Sequence, residues 1–149
     1  MNQLSSDAHL KKLIYVEESN EIGIAVIDTE DWKQPETEDD IIKTTSFIAN
    51  VLTQALLKSQ SLGHQQFDVV VKMGSFKVKS INFKFVKYLT NILKQLFPEK
   101  LRQATLIDPP KYFITAYDVI KTFLDKPTRK KFHLISSKDL NELYEDDVD

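Results

Sequence analysis

The chain has 149 residues, 42% of them hydrophobic, with 20 Lys and Arg against 22 Asp and Glu, 3 Gly, 5 Pro and no Cys. A chain of this length buries about two thirds of its unfolded surface, so one domain spanning 1–149, with room for a small ligand cavity, is expected without disulfides or a structural metal. The lack of Cys removes thiol chemistry. Glycines as scattered as Gly23, Gly63 and Gly74 cannot form a phosphate-cradling loop or a dinucleotide fingerprint.

No apolar run is longer than that of Ile24 to Ile27, against the roughly 18 to 20 residues that cross a bilayer, and the first residues lack the layout of a signal peptide. A cytoplasmic protein is expected. The overall charge of −2 conceals segregation: residues 1–66 sum to −6, residues 67–133 to +9 and residues 134–149 to −5. A basic middle suggests attraction to something anionic, either a phospholipid surface or a nucleic acid, or a set of lysines on solvated helix faces.

In chain order, the first ten residues read as a linker. Lys12 to Val16 and Glu21 to Asp28 read as two strands joined by the turn-like Glu18-Ser19-Asn20, plausible as a hairpin. Thr37 with Asp40 three residues on resembles a capping box, and Ile41, Ile48, Val51, Leu52, Ala55 and Leu56 follow at helical spacing, which predicts a helix over about 38–60. Phe67 to Met73 is a Val-rich run of strand length.

Phe76 to Tyr88 is ambiguous, because aromatics alternate with lysines at a period of two before Ile81, Phe85, Tyr88, Leu89, Ile92, Leu93 and Leu96 settle into a helical stripe that Pro98 stops. Loop, then helix, is the reading. Arg102 to Ile107 is a further strand, and Pro109-Pro110 forces an extended turn. Tyr112 to Leu124 reads as a helix, Phe132 to Ile135 as a strand, and Lys138 to Tyr144 as a short helix before an acidic tail. Strands alternating with helices predict an α/β fold, a mostly parallel mixed sheet with helices packed on it.

The second half resembles the CRAL-TRIO lipid-binding family, of the yeast phosphatidylinositol transfer, retinaldehyde-binding and tocopherol transfer type. Leu96-Phe97-Pro98-Glu99-Lys100-Leu101 matches the family's Tyr-Pro-Glu-Arg-Leu segment. Ala104 to Phe113, with Ile107-Asp108-Pro109-Pro110 at its centre, matches the strand that ends in Ile-Asn-Ala-Pro and opens into an aromatic-rich helix. Lys121-Thr122-Phe123-Leu124-Asp125 matches Lys-Pro-Phe-Leu-Asp, and Lys126 to Ile135 matches the Thr-x-x-Lys and following strand. Gly23 to Ile27, with the acidic, Trp-containing loop and long helix after it, extends the resemblance to about residues 22–145. A reduced form is expected, lacking the family's N-terminal helical bundle.

The resemblance implies an apolar pocket floored by the sheet and gated by the helix over 112–124, with Phe113, Tyr117, Ile120 and Leu124 against the ligand. It also implies that Glu99, Thr128 and Lys131 hold a headgroup phosphate. The residues themselves support part of this: Tyr112 to Leu124 carries more apolar surface than one buried stripe needs, unless helices and sheet bury both sides. Arg129 and Lys130 beside Phe123 read as an edge that docks on an anionic membrane surface, each cation contributing on the order of 1 kcal/mol.

Catalysis has little to work with. His9, His64 and His133 are far apart and none has a metal-ligand partner at helical spacing, and no Gly-x-Ser-x-Gly elbow is present. No enzyme activity, metal or cofactor is expected. The expectation is a lipid-binding or lipid-transfer protein that shields a phospholipid or other small lipid and associates transiently with membranes. The alternative is a divergent CRAL-TRIO protein-interaction module of the small-GTPase-regulator type, with a protein partner and no lipid. A third reading takes lysines 72, 77, 79, 84 and 87 with Phe76, Phe83 and Phe85 as a single-strand nucleic-acid surface; the buried side of a helix explains those from Phe83 onward better.

Overall fold

The structure, a computed structural model, describes residues 2–74 and 80–138. Its order is α1 (Asn2–Leu13), β1 (Ile14–Val16), β2 (Ile24–Asp28), α2 (Glu38–Ser61), β3 (Phe67–Lys72), α3 (Phe83–Leu96), β4 (Leu101–Ile107), α4 (Lys111–Ile120), a 3-10 turn (Lys121–Phe123), α5 (Lys126–Arg129) and β5 (Phe132–Ile135). The strands form one sheet in the order β1-β2-β3-β4-β5. The first pair is antiparallel and the other three are parallel. The α/β reading and the mostly parallel sheet are therefore as expected.

Right-handed crossovers through a sheet whose strand order follows the chain place α2, α3 and α4 on one face. The side chains agree: Ala25, Phe67, Val69, Leu101 and Ala104 join α2 and α3 in the main core, while Leu106 and Met73 join Phe113 and Ile120 of α4 in a second cluster. Val71 and Phe132 border both.

Caps fix where the helices begin. Thr37 accepts the Asp40 amide at 3.1 Å, and Glu38, Asp39 and Asp40 face the positive end of the α2 dipole. Asn82 caps α3 by accepting the Lys84 amide at 3.1 Å, and is itself held by Gln34, which accepts the Asn82 amide at 2.7 Å. Asp108, left-handed at φ 56°, accepts the Ser137 amide at 2.8 Å and closes β4 against β5 just before Pro109-Pro110. Asp and Asn tolerate that conformation better than most residues.

Three sequence readings change. The first ten residues are not a linker but most of α1, which takes in Lys12 and Leu13, so the first strand starts at Ile14. Among the described side chains of this helix Leu10 and Leu13 reach the core, and two such residues print no stripe on the sequence. The helix expected over 112–124 is α4 up to Ile120 with a 3-10 turn beyond it, because Asp125 caps a fresh turn ahead of Pro127 and Leu124 must leave the helix to reach it. The expected helix over 138–144 lies, from residue 139 on, outside the described residues.

The loop before β2 lies directly against the body of α2. Gly23 donates its amide to the buried Ser59 hydroxyl at 2.8 Å. A Cβ on Gly23 would stand 1.8 Å from the Ala55 carbonyl oxygen. Gly23→Ala must therefore push α2 off the sheet, and a loss of about 3 kcal/mol or more is expected, at the upper end of overpacking costs. Ser59→Ala strands a buried N–H and is expected to lose about 1–3 kcal/mol. Urea denaturation of the two variants checks both.

Candidate functional site

Between α3, α4 and the sheet lies a cavity of about 200 Å3. Its floor is Val69, Val71, Leu101, Ala104 and Leu106, its α3 wall is Phe85, Val86, Leu89 and Leu93, and its α4 wall is Phe113, Tyr117 and Ile120, with Leu124 beyond the helix beside them. Trp32 also lines it, its ring 5.7 Å from that of Phe85. The two core clusters meet across this space without filling it.

The polar side chains on the wall are mostly committed to backbone. The Thr29 hydroxyl donates to the Lys72 carbonyl at 2.7 Å and the Thr90 hydroxyl to the Lys87 carbonyl at 3.0 Å. Gln34 donates to the Ser80 carbonyl at 3.0 Å and accepts from Asn82. Burial pushes the Tyr117 phenol above its ordinary pKa, against the pull of Lys121 and Arg129, so it stays protonated and able to donate. The wall thus suits hydrocarbon, with a phenol at the α4 side. A space of about 200 Å3 exceeds the ~150 Å3 that holds a benzene-sized apolar molecule. It falls short of the ~300–1,000 Å3 that encloses a drug-sized ligand. It admits the end of an apolar chain as it stands, and a larger ligand only when a wall moves.

The α4 wall is the one with little behind it. Phe113 and Ile120 point into the second cluster, while Ile114 and Val119 are 49% and 46% exposed. Burial of both sides of this helix, the alternative left open by its composition, does not occur. At its N-terminal end the Pro110 carbonyl accepts the Phe113 and Ile114 amides at 3.0 and 3.1 Å. At its far end the chain turns through Lys121–Phe123 and brings Leu124 back to the cavity.

The four apolar residues singled out in the sequence, Phe113, Tyr117, Ile120 and Leu124, all stand on the cavity wall. Glu99, Thr128 and Lys131 do not. Glu99 sits in the turn between α3 and β4 in a left-handed conformation at φ 62°, its carbonyl accepting from Gln66 at 3.1 Å. Its side chain borders a separate polar cleft of about 400 Å3, with His64, Lys100 and Arg102 among its walls. Arg102 is committed to the buried Asp68, to which Nε donates at 2.8 Å, and that bond raises the guanidinium pKa further.

Thr128 lies on α5, where Asp125 accepts its amide at 2.9 Å. The Thr128 side chain and amide, with Lys94 and Lys131 nearby, hold the Asp125 carboxyl below its ordinary 3.8. The cap is therefore complete above that ordinary value and is lost as pH falls through the lower folded one. Lys131 follows α5, its carbonyl accepting the Ala104 amide at 2.8 Å. Arg129 and Lys130 are exposed and Phe123 is half-buried on the 3-10 turn.

Sequence reasoning missed Trp32, Met73, Phe85, Leu89 and Ala104 as cavity residues. The helical stripe of α3 was visible, but a stripe that lines a void has the same spacing as one that fills a core. Of the residues offered for base stacking, Phe85 is buried and Phe83 packs in the second cluster, while Phe76, Lys77 and Lys79 lie outside the described residues.

Filling an apolar cavity is favourable. Ala104→Leu adds three carbons at the floor and is expected to raise stability by about 2 kcal/mol at ~0.8 kcal/mol per buried methylene. The same change in a solid core costs about 1–3 kcal/mol. The shift of the denaturation midpoint tells the two apart.

Residues 11–147 match the CRAL/TRIO domain family. Over 51 residues the chain is 41% identical to the phosphatidylinositol transfer protein SFH5 of Candida glabrata, a stretch covering 34% of this chain and 17% of that protein. Over 65 residues it is 30% identical to the Sec14 cytosolic factor of Schizosaccharomyces pombe, covering 44% of this chain and 22% of the relative. The crystal structure of Sfh5 has the same fold, with a TM-score of 0.68 at 20% identity, over 91% of this chain and 53% of that one. In each case the match spans less than two thirds of the relative. With the fold in common and the family match running through nearly all its described elements, the chain belongs to the CRAL/TRIO domain family.

Proposed function

We propose that this domain binds and transfers a phospholipid or other small lipid, shielding an acyl chain between the sheet and α4. The observation that carries the reading is an apolar cavity under a helix whose outer side also exposes Ile114 and Val119. Such a helix can trade one apolar surface for another as it opens against a bilayer. Each methylene drawn into the cavity contributes about 0.8 kcal/mol. The two curated relatives, a phosphatidylinositol transfer protein and a Sec14 cytosolic factor, support the same class of ligand.

In this reading Phe113, Tyr117, Ile120 and Leu124 contact the acyl chain. Glu99, Thr128 and Lys131 bind the headgroup, the Thr128 hydroxyl exchanging Asp125 for a phosphate. Phe123, Arg129 and Lys130 meet the membrane. The protein works by binding, without catalysis, in the cytoplasm and in transient contact with membranes; among the described residues no helix is long and apolar enough to cross one. The lipid-free protein-interaction module calls for solid packing beneath α4, and the open cavity weighs against it.

The test is to incubate the protein with mixed liposomes, reisolate it, and analyse an organic extract of the washed protein by lipid mass spectrometry. One lipid class at close to one molecule per protein is expected, reduced severalfold in the cavity-filled Ala104→Leu variant. Recovery no greater than from an unrelated control protein would remove the lipid-carrying reading and favour the protein-interaction module.

A further inference from the structure

The outer side of α3 carries Lys84, Lys87, Asn91 and Lys94 at spacings of three and four, which puts them on one stripe, and the helix has no acidic residue. All three lysines are exposed. The turn that follows α4 is fastened to this stripe. Lys94 donates from Nζ to the Phe123 carbonyl at 3.0 Å, the Lys87 ammonium stands 5.1 Å from the centre of the Phe123 ring, and the Phe83 ring meets that ring edge-on at 6.2 Å. Of the acids close by, Asp118 pairs with Lys121 at 3.0 Å, and Asp125 caps α5 with Lys94 among the cations near it.

Resting on the lipid-carrying role above, we propose that the Lys84, Lys87 and Lys94 stripe is a docking face for an anionic phospholipid bilayer, and that Lys87 and Lys94 are a latch on Phe123 which lipid phosphates release. Charge decides the partner. Every charge on the stripe is positive, and both latch contacts use ammonium groups that a phosphate oxygen binds more strongly than a carbonyl or a ring does. As the lysines turn to phosphates, Phe123 loses both of its cationic holds and is free to enter the acyl region, taking the end of α4 with it. A neutral bilayer offers the same phosphates without the surface potential that concentrates cations against it, so opening is coupled to lipid charge and screened by salt.

The chain has no cysteine, so Thr122→Cys on the exposed 3-10 turn provides one position for an environment-sensitive fluorophore. Phosphatidylcholine vesicles containing phosphatidylserine are expected to give a blue-shifted, severalfold brighter emission, lost at high salt and absent with phosphatidylcholine alone. Lys87→Gln with Lys94→Gln is expected to lose more than half of that response and, before any vesicle is added, to lower the anisotropy of the label because the latch is gone. Lys87→Arg with Lys94→Arg keeps the charge and is expected to keep the response, and circular dichroism checks that both variants remain folded.

An equal response to neutral and anionic vesicles, a glutamine variant indistinguishable from its parent, or a response to a single-stranded oligonucleotide and not to vesicles would each overturn the proposal, the last in favour of nucleic acid. The label reports docking whether or not lipid is carried. Anionic insertion with no lipid recovered by mass spectrometry would therefore keep the docking face and remove the carrier role, whereas recovered lipid without insertion would do the reverse.

Discussion

The structure depends on a topological constraint: strands β2 to β5 lie side by side in chain order and run parallel. Right-handed crossovers then leave α2, α3 and α4 no choice but the same face of the sheet. The helices fill that face from one edge to the other. α2 is pressed onto β2 at Gly23, where there is no room for a side chain, and α3 packs beside α2 over the main core. α4 comes last, shorter than either, over Leu106, Met73 and Leu134. Between a well-filled core and a small second cluster the face is left open, and that opening is the cavity.

The same order leaves one wall of the cavity with fewer anchors than the others. Displacing α2 or α3 would break the main core, and α2 has the added constraint of the Gly23–Ser59 bond. α4 is held by a few buried side chains, by the Asp108 and Pro110 turn at one end, and by the contacts of Phe123 with α3 at the other. Its exposed Ile114 and Val119 are a cost in water that contact with an apolar phase would recover. A cavity smaller than the proposed ligand, under the least anchored of the three helices on this face, is the physical basis for reading this domain as a lipid binder.

Much of this was legible in the sequence, and what was not failed for identifiable reasons. The helix predicted from Thr37 and the stripe that follows is α2 almost to the residue, because cap, charge and period point the same way. The hairpin of β1 and β2, the Val-rich β3 and the last strand at Phe132 to Ile135 were equally plain. α1 escaped because Leu10 and Leu13, the residues seen to pack among its described side chains, make no stripe, and the break after Ile120 because it depends on where Asp125 starts the next turn. At the site, the apolar residues of α4 were readable as surplus hydrophobicity, but the opposite wall was not. Phe85, Leu89 and Ala104 have the composition and spacing of any core, and only their packing distances reveal that they face a space. Nor did residue order disclose that Lys87 and Lys94 reach the Phe123 of a later element.

The most direct test of the account uses the single tryptophan, Trp32, which lies on the cavity wall. The protein is loaded from vesicles whose phospholipid carries bromine near the end of one acyl chain, separated from them, and its fluorescence compared with protein loaded from unbrominated vesicles. Quenching requires contact with the bromine. The account expects strong quenching that persists after the vesicles are removed and reverses on exchange with unbrominated lipid. Lipid retained by the protein with Trp32 emission unchanged would contradict it, because the acyl chain would then be bound somewhere other than beneath α4.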